Sequence, residues 1–229
     1  MVQHDLSAVS PALVRYERDL LRGDVWNRPG LSRRDRSMVT LAVIVTRGQA
    51  GLLEPITEQA LDSGVAPREV SEIVTHLAFY AGWGTATAAA SAIAGVFARR
   101  GVEADQLPLA SPALLALDPA AEARRASSVE QMVGPVSPGL ANDTGAVLFR
   151  DLWLRPDLAA RDRSLVTVAA LVASGQFAQI TFHLGKALDN GLTTSEASEL
   201  LSHLAYYTGW PSAMSAVPVF KGVFDGRSP

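Results

Sequence analysis

Apolar residues along this chain return every three or four positions instead of alternating, and alanine is abundant where β-branched alternation would mark strands. The pattern predicts an all-α protein. Leu13 to Leu21 forms a first amphipathic helix that turns Arg15, Glu17 and Arg18 outward. Ser32-Arg-Arg-Asp35 opens a long second helix through about Arg47, with Ser32 as its cap and Asp35 in a first turn that favours negative charge. A third helix runs from about Leu52 to Leu61 and stops at Gly64. Pro67, suited to a first turn, opens a fourth helix through Tyr80, closed by Gly82. A fifth spans Ala86 to Arg99.

The same order then returns. A shift of about 127 positions lays residues 9–97 on 136–224 without a gap. Trp26-Asn-Arg-Pro meets Trp153-Leu-Arg-Pro, and Arg34-Asp35-Arg36-Ser37 meets Arg161-Asp162-Arg163-Ser164. His76-Leu-Ala-Phe-Tyr80 meets His203-Leu-Ala-Tyr-Tyr207. Punctuation is clearer in the second copy: Asn190-Gly191 ends a helix, Thr193 to Glu196 makes a capping box, and Gly209-Trp-Pro211 stops one helix and starts another. Two long copies do not make a solenoid. They predict two lobes related by a pseudo-two-fold, packed as subunits pack in a homodimer. The first lobe covers residues 1–100, a Pro-, Ala- and Leu-rich linker 101–119, and the second lobe 120–229, with Ala120 to Met132 as an extra helix of that lobe.

With 229 residues and 48% hydrophobic side chains the chain can bury one large core or two moderate ones. A net charge of -3 and a pI near 5.8 offer no basic patch, so no nucleic-acid partner is expected. The absence of cysteine excludes disulfides, thiol chemistry and Cys-ligated zinc. Met1 to Leu6 lacks the charged and apolar regions of a signal peptide. The longest apolar runs, Met38 to Val45 and Leu165 to Ala173, are shorter than the ~20 residues of a membrane helix. A soluble, cytoplasmic protein without a membrane partner is expected.

Histidine focuses the search for chemistry. His4, near the terminus, is assigned no role. Glu72, His76 and Tyr80, and likewise Glu199, His203 and Tyr207, are spaced by four and share one helical stripe. Each stripe is either a satisfied polar seam between helices or an acid/base pair lining a pocket. His183 differs, because its first-lobe counterpart is Ile56. Gln176 and Gln179 precede it at i-7 and i-4, giving a polar stripe on an apolar helix, and His183 is the leading candidate for proton transfer. Arg36 and Arg163, each followed at i+4 by threonine, either clamp a substrate carboxylate or pair with a glutamate of the next helix. Trp83 and Trp210 are packing wedges or stacking platforms. There is no Gly-rich phosphate loop, nucleophile elbow or His-Glu-x-x-His site. A metal set of His183, His203 and Glu199 is conceivable, but no spacing forces its convergence.

Trp26-Asn-Arg-Pro-Gly-Leu-Ser-Arg-Arg-Asp-Arg-Ser, Arg161 to Ala173, His183 to Thr193 and His203-Leu-Ala-Tyr-Tyr-Thr-Gly-Trp-Pro together resemble the carboxymuconolactone decarboxylases, which share the alkylhydroperoxidase D fold. The resemblance implies helical protomers that pair and commonly form hexamers, so that a fused pair would assemble as a homo-oligomer of three chains. It also implies cofactor-free loss of carbon dioxide from a lactone acid through an enolate that an acid reprotonates. The peroxidase branch of the fold needs a Cys-x-x-Cys pair, which this chain lacks. The decarboxylase pattern places a Glu shortly before the histidine matching His183, where this chain has Gln179 and Thr181; the first lobe keeps Glu54 and Glu58 without the histidine. The expectation is therefore a cofactor-independent acid/base enzyme, without a metal, acting on a small carboxylated or lactone-like substrate in a second-lobe pocket. His183 would carry the proton, Gln176 and Gln179 orient substrate oxygens, and His203 with Tyr207 complete the wall. Arg163, Trp210 and Glu58 are further substrate-binding candidates. The alternatives are isomerisation, cyclisation or dehydration in the same pocket, or a non-catalytic assembly or ligand-binding protein.

Overall fold

The computed structural model describes residues 6–227, so His4 and most of the N-terminal segment considered above lie outside the described residues. The described residues form helices and no strands. In the first lobe these are α1 (Pro11–Tyr16), α2 (Arg33–Thr46), α3 (Ala50–Asp62), α4 (Pro67–Tyr80) and α5 (Trp83–Arg100). Then come α6 (Pro119–Val133) and the second set, α7 (Pro138–Asp143), α8 (Ala160–Ser174), α9 (Phe177–Asp189), α10 (Thr194–Thr208) and α11 (Trp210–Asp225). None is long and apolar enough to cross a membrane.

Local signals account for most boundaries. The Ser32 hydroxyl accepts from the Asp35 N–H at 3.0 Å, and Thr193 does the same for Glu196 at 3.1 Å. The third and fifth helices begin earlier than their apolar periodicity suggests, at Ala50 and Trp83. For the fifth the reason is Gly82, whose φ of 96° turns the chain straight from one helix into the next; Gly209, at 86°, does this in the second lobe. The first helix widens into a π-helical segment over Glu17–Arg22, and α7 does so over Thr144–Phe149. The linker carries one short 3-10 turn, Ala104–Gln106, and is held to the second lobe. Leu115 donates to the Leu154 carbonyl, and Arg155 donates to the carbonyls of Leu109 and Ala110.

The apolar runs of α2 and α8 are buried all round, as befits helices at the centre of the molecule. These two helices pack on each other, α10 packs on α2, and α4 packs on α8. Each lobe thus lends its fourth helix to the other's central helix. A ring of charges marks the axis: Arg34 pairs with Asp162 at 2.9 Å and Arg161 with Asp35 at 3.1 Å, while Arg34 also meets Glu69 and Arg161 meets Glu196. In these charge pairs a contact across the interface is repeated by the counterpart residues in the reverse sense, which is the signature of a two-fold.

Candidate active site

Two clusters follow from this reciprocity, and each is built from both lobes. In the first, α2 aims Arg36 and Thr40 at His203 on α10. Arg36 Nη1 lies 3.3 Å from His203 Nδ1, Thr40 Oγ1 lies 2.9 Å from Nε2, and Arg36 Nη2 donates to Glu199 at 2.9 Å. The Trp26 indole N–H donates to the Tyr207 hydroxyl at 2.8 Å. In the second, Arg163 Nη1 lies 3.4 Å from His76 Nδ1, Thr167 Oγ1 lies 2.7 Å from Nε2, and Arg163 Nη2 donates to Glu72 at 2.8 Å. Trp153 donates to the Tyr80 hydroxyl at 2.9 Å.

Arginine has only donors, so each Nδ1 must accept and each Nε2 must carry the proton. Thr167 fits this tautomer, because its hydroxyl donates to the Arg163 carbonyl and leaves a lone pair for His76. Burial disfavours the imidazolium and the facing arginine adds to that effect: His203 is lowered to about 3, and His76 is lowered well below its usual value. Both rings are neutral, bonded on both nitrogens, and locked between the lobes.

His183 has none of this support. Its Nδ1 is buried without a hydrogen-bond partner among the described residues. The ring stacks on Trp153 with centroids 5.8 Å apart and meets Tyr80 and Phe182 edge-on at 5.3 and 5.0 Å. Burial first, and the Lys186 charge second, lower its pKa to about 4. On the other side of Trp153 and Phe182 lies an open cleft of about 690 Å³ between α6, the Thr144–Phe149 segment and α9. Phe149, Trp153 and Phe182 give the cleft an aromatic wall, and the cations Lys186, Arg124, Arg125 and Arg227 line it together with Asp118, Glu122 and Asp189. Lys186 sits 4.9 Å over the Trp153 ring and is half-buried, which lowers its pKa.

The structure therefore brings His183 together with Tyr80 and His76 of the first lobe, and puts His203 and Tyr207 in the other cluster, against Trp26. The predicted pairing of His183 with His203 and Tyr207 in one wall does not form, because α10 crosses the interface to α2 instead of folding back on α9. His183, His203 and Glu199 do not converge, and among the described residues no three His, Asp or Glu side chains gather as metal ligands. Arg163 is fully buried, and Glu72 and the Arg155 carbonyl occupy its Nη2, so it faces no cleft. Gln176 and Gln179 are exposed at the start of α9. Trp210 lies edge-on to Tyr206 and lines a different groove, with Leu201, Met214 and Phe220. Glu58 is held in surface ion pairs with Arg99 and Arg100. Trp153, Phe149 and Lys186 were not among the candidates, and Tyr80 entered only through the Glu72-His76-Tyr80 stripe; the sequence carried one clue to the meeting of Tyr80 with His183, since a two-fold repeat exchanges its polar stripes.

Such a chain is a helical dimer fused into one polypeptide, with two interlobe clusters of which one backs a cleft. The profile of the carboxymuconolactone decarboxylase family matches residues 11–95 and 138–222, one match in each lobe, and the chain belongs to that family. It is 38% identical over 74 residues to 4-carboxymuconolactone decarboxylase of Acinetobacter baylyi, covering 32% of this chain and 55% of that one. It is 45% identical over 68 residues to nitrosuccinic acid decarboxylase npaB of Metarhizium robertsii, covering 30% of this chain and 48% of that one. The chain spans about half the length of the curated relatives it matches.

Proposed function

We propose that the chain is a decarboxylase-like acid/base enzyme, independent of any cofactor, that takes a small carboxylated substrate into the cleft beside His183. One observation carries this reading: of the three described histidines, only His183 has a buried ring nitrogen with nothing bonded to it. A buried polar atom left open in this way points to a role that packing does not explain. The names of both relatives, decarboxylases of small acids, support the class of reaction.

In the proposed reaction the bond from carbon to the leaving carboxylate breaks, carbon dioxide departs, and the electron pair passes into an adjoining carbonyl or equivalent acceptor as an enolate. A proton then returns to carbon, and His183 supplies it. With a pKa of about 4 the free enzyme holds this ring neutral at pH 7. An anion in the cleft offsets both burial and the Lys186 charge, so the substrate itself raises the His183 pKa and recruits the proton. Phe182, half-exposed, is the ring that swings aside to admit it. Tyr80 holds the imidazole from the first-lobe side, Trp153 stacks between it and the cleft, and the fused pair assembles as three chains through the exposed Trp83, Trp210 and Met214 faces.

His183→Gln is expected to lower kcat on the true substrate at least 100-fold with an unchanged circular-dichroism spectrum. In the parent enzyme kcat falls as pH rises through the substrate-raised pKa, since the protonated ring is the active form. A ligand-binding or assembly role is the second reading, favoured by the three aromatic rings that enclose His183. Retention of full turnover in His183→Gln, over the whole pH range, would exclude the proposed acid and leave that reading.

A further inference from the structure

Helix α6 lies outside both family-matched segments. It nonetheless builds one side of the cleft, through Asp118, Ala121, Glu122, Arg124, Arg125 and Ser128. Arg125 is the residue of interest. Its side chain is only 9% exposed, and its guanidinium lies 4.4 Å over the Phe149 ring. Nε and Nη2 donate to the two oxygens of Glu122, both at 2.8 Å. Nη1 is buried and bonds to nothing among the described residues.

A guanidinium nitrogen buried with two unused protons is costly in a folded protein, and an anion is the partner that meets them best. The surroundings carry a surplus of positive charge. Four cations of the cleft lining, Arg124, Arg125, Lys186 and Arg227, stand against three carboxylates, Asp118, Glu122 and Asp189. Glu122 also serves Arg150, Asp189 pairs with Arg227, and among the described residues no carboxylate pairs with Lys186 within 4.0 Å while it sits over Trp153. The first lobe shows what a closed version of this site looks like. There Gln59 stands where the second lobe has Lys186, and Arg22 stands in place of Phe149. Arg22 lies 5.5 Å over the Trp26 ring and donates to Gln59 at 2.7 Å, so in that lobe the corresponding cation is bonded to the residue that stands in place of Lys186.

We propose that Arg125, presented by α6, and Lys186, presented by α9, form the receptor for a carboxylate that the substrate keeps, and so set the specificity of the cleft for small diacids. The two cations, over the Phe149 and Trp153 rings, would hold the retained carboxylate, and the departing one would lie toward Phe182, the ring that meets His183 edge-on. The chain accordingly has one working cleft, in the second half. This assignment rests on the functional reading above, but it concerns binding and can be tested without turnover.

The test is calorimetric titration of the full-length protein with succinate, and with succinamide as the uncharged control. The parent protein should bind succinate and not succinamide. Lys186→Gln should weaken succinate at least tenfold, Arg125→Gln at least tenfold, and Arg125→Lys less than Arg125→Gln. Arg99→Gln, on a remote surface pair, should bind as the parent does. These binding losses do not depend on turnover: if turnover fails everywhere and they remain, the receptor stands alone. Equal affinity for succinate and succinamide, or parental succinate affinity in Lys186→Gln, overturns the assignment; the latter holds even where Arg125→Gln does not fold.

Discussion

At the scale of single residues, the molecule uses identical chemical groups for different ends according to what surrounds them. His76 and His203 face an arginine on one nitrogen and a threonine on the other, whereas His183 faces rings and an open atom. Arg163 and Arg36 likewise look alike in sequence and are both fully buried, but Arg163 meets Glu72, which is itself fully buried. Glu199, the partner of Arg36, keeps 17% of its side chain exposed. Breaking a buried pair from one side leaves an uncompensated charge, at a cost of about 3–5 kcal/mol. Glu72→Gln should therefore lose about that much stability in urea unfolding, Arg163→Met less because Arg155 still meets Glu72 at 2.7 Å, and the double variant should lose clearly less than their sum. Arg36→Met should cost less, because water can reach Glu199. Strict additivity of the first two changes would mean that the pair contributes nothing as a pair. The sequence offered two roles for these arginines, substrate clamp or partner of a glutamate; the observed contacts are those of the second, and only the identity of the partner, a glutamate of the opposite lobe, required coordinates.

At the scale of elements, the duplication provides internal controls, because one lobe often keeps a helix signal that its twin has lost. Ser32 caps α2, while Ala159, its counterpart with closely similar backbone angles (φ -54°, ψ 146° against φ -66°, ψ 158°), leaves α8 without a side-chain cap. Thr193 and Glu196 cap α10 reciprocally; at α4 the matching Ala66 has no side-chain oxygen, and only Glu69 reaches back to the Ala66 N–H, at 2.8 Å. Ala159→Ser and Ala66→Thr should each raise unfolding stability by about 1 kcal/mol, read as a shift in denaturant midpoint at constant slope. No gain at Ala159 would show that its four free N–H groups are already well solvated. These caps, with Pro67 and the Asn190-Gly191 stop, are local signals, which is why most helices were legible from the chain. The early start of α5 was less so, since an apolar count gives no weight to a glycine that turns the chain at φ 96°. The site was legible only in part for a further reason. His183 stood out because Ile56 replaces it, but its neighbours Tyr80 and Trp153 come from α4 and the segment before α8, the cleft residue Arg125 comes from α6, and periodicity within one helix carries no information about such meetings.

At the scale of the whole molecule, the interface between the lobes makes one cooperative unit whose weak point is acid. His76, His183 and His203 all have folded pKa values depressed by burial, to about 4 for His183 and about 3 for His203. In the unfolded chain each titrates near ~6.5, so below that pH the unfolded state binds protons that the folded state refuses. The contribution of each is complete above about pH 6.5 and is lost as pH falls, until the folded value is reached. Each histidine should remove about 1.4 kcal/mol per pH unit, so the three together give a slope near 4 kcal/mol per unit between pH 6 and 5. That window lies above the range in which carboxylates such as Glu122 and Glu196, both held below their ordinary values, begin to add their own losses. Denaturant unfolding at pH 7, 6, 5.5 and 5 should therefore show a steep fall, and His203→Gln should flatten it by about a third. A stability unchanged from pH 6.5 to 5 would mean that the imidazoles accept protons in the folded state, and the reciprocal Arg–His–Thr contacts would then not be what holds the two halves together. A protein joined in this way has its halves committed to each other by neutral rings at the centre, while His183, whose Nδ1 meets no partner among the described residues, is left out of that joint.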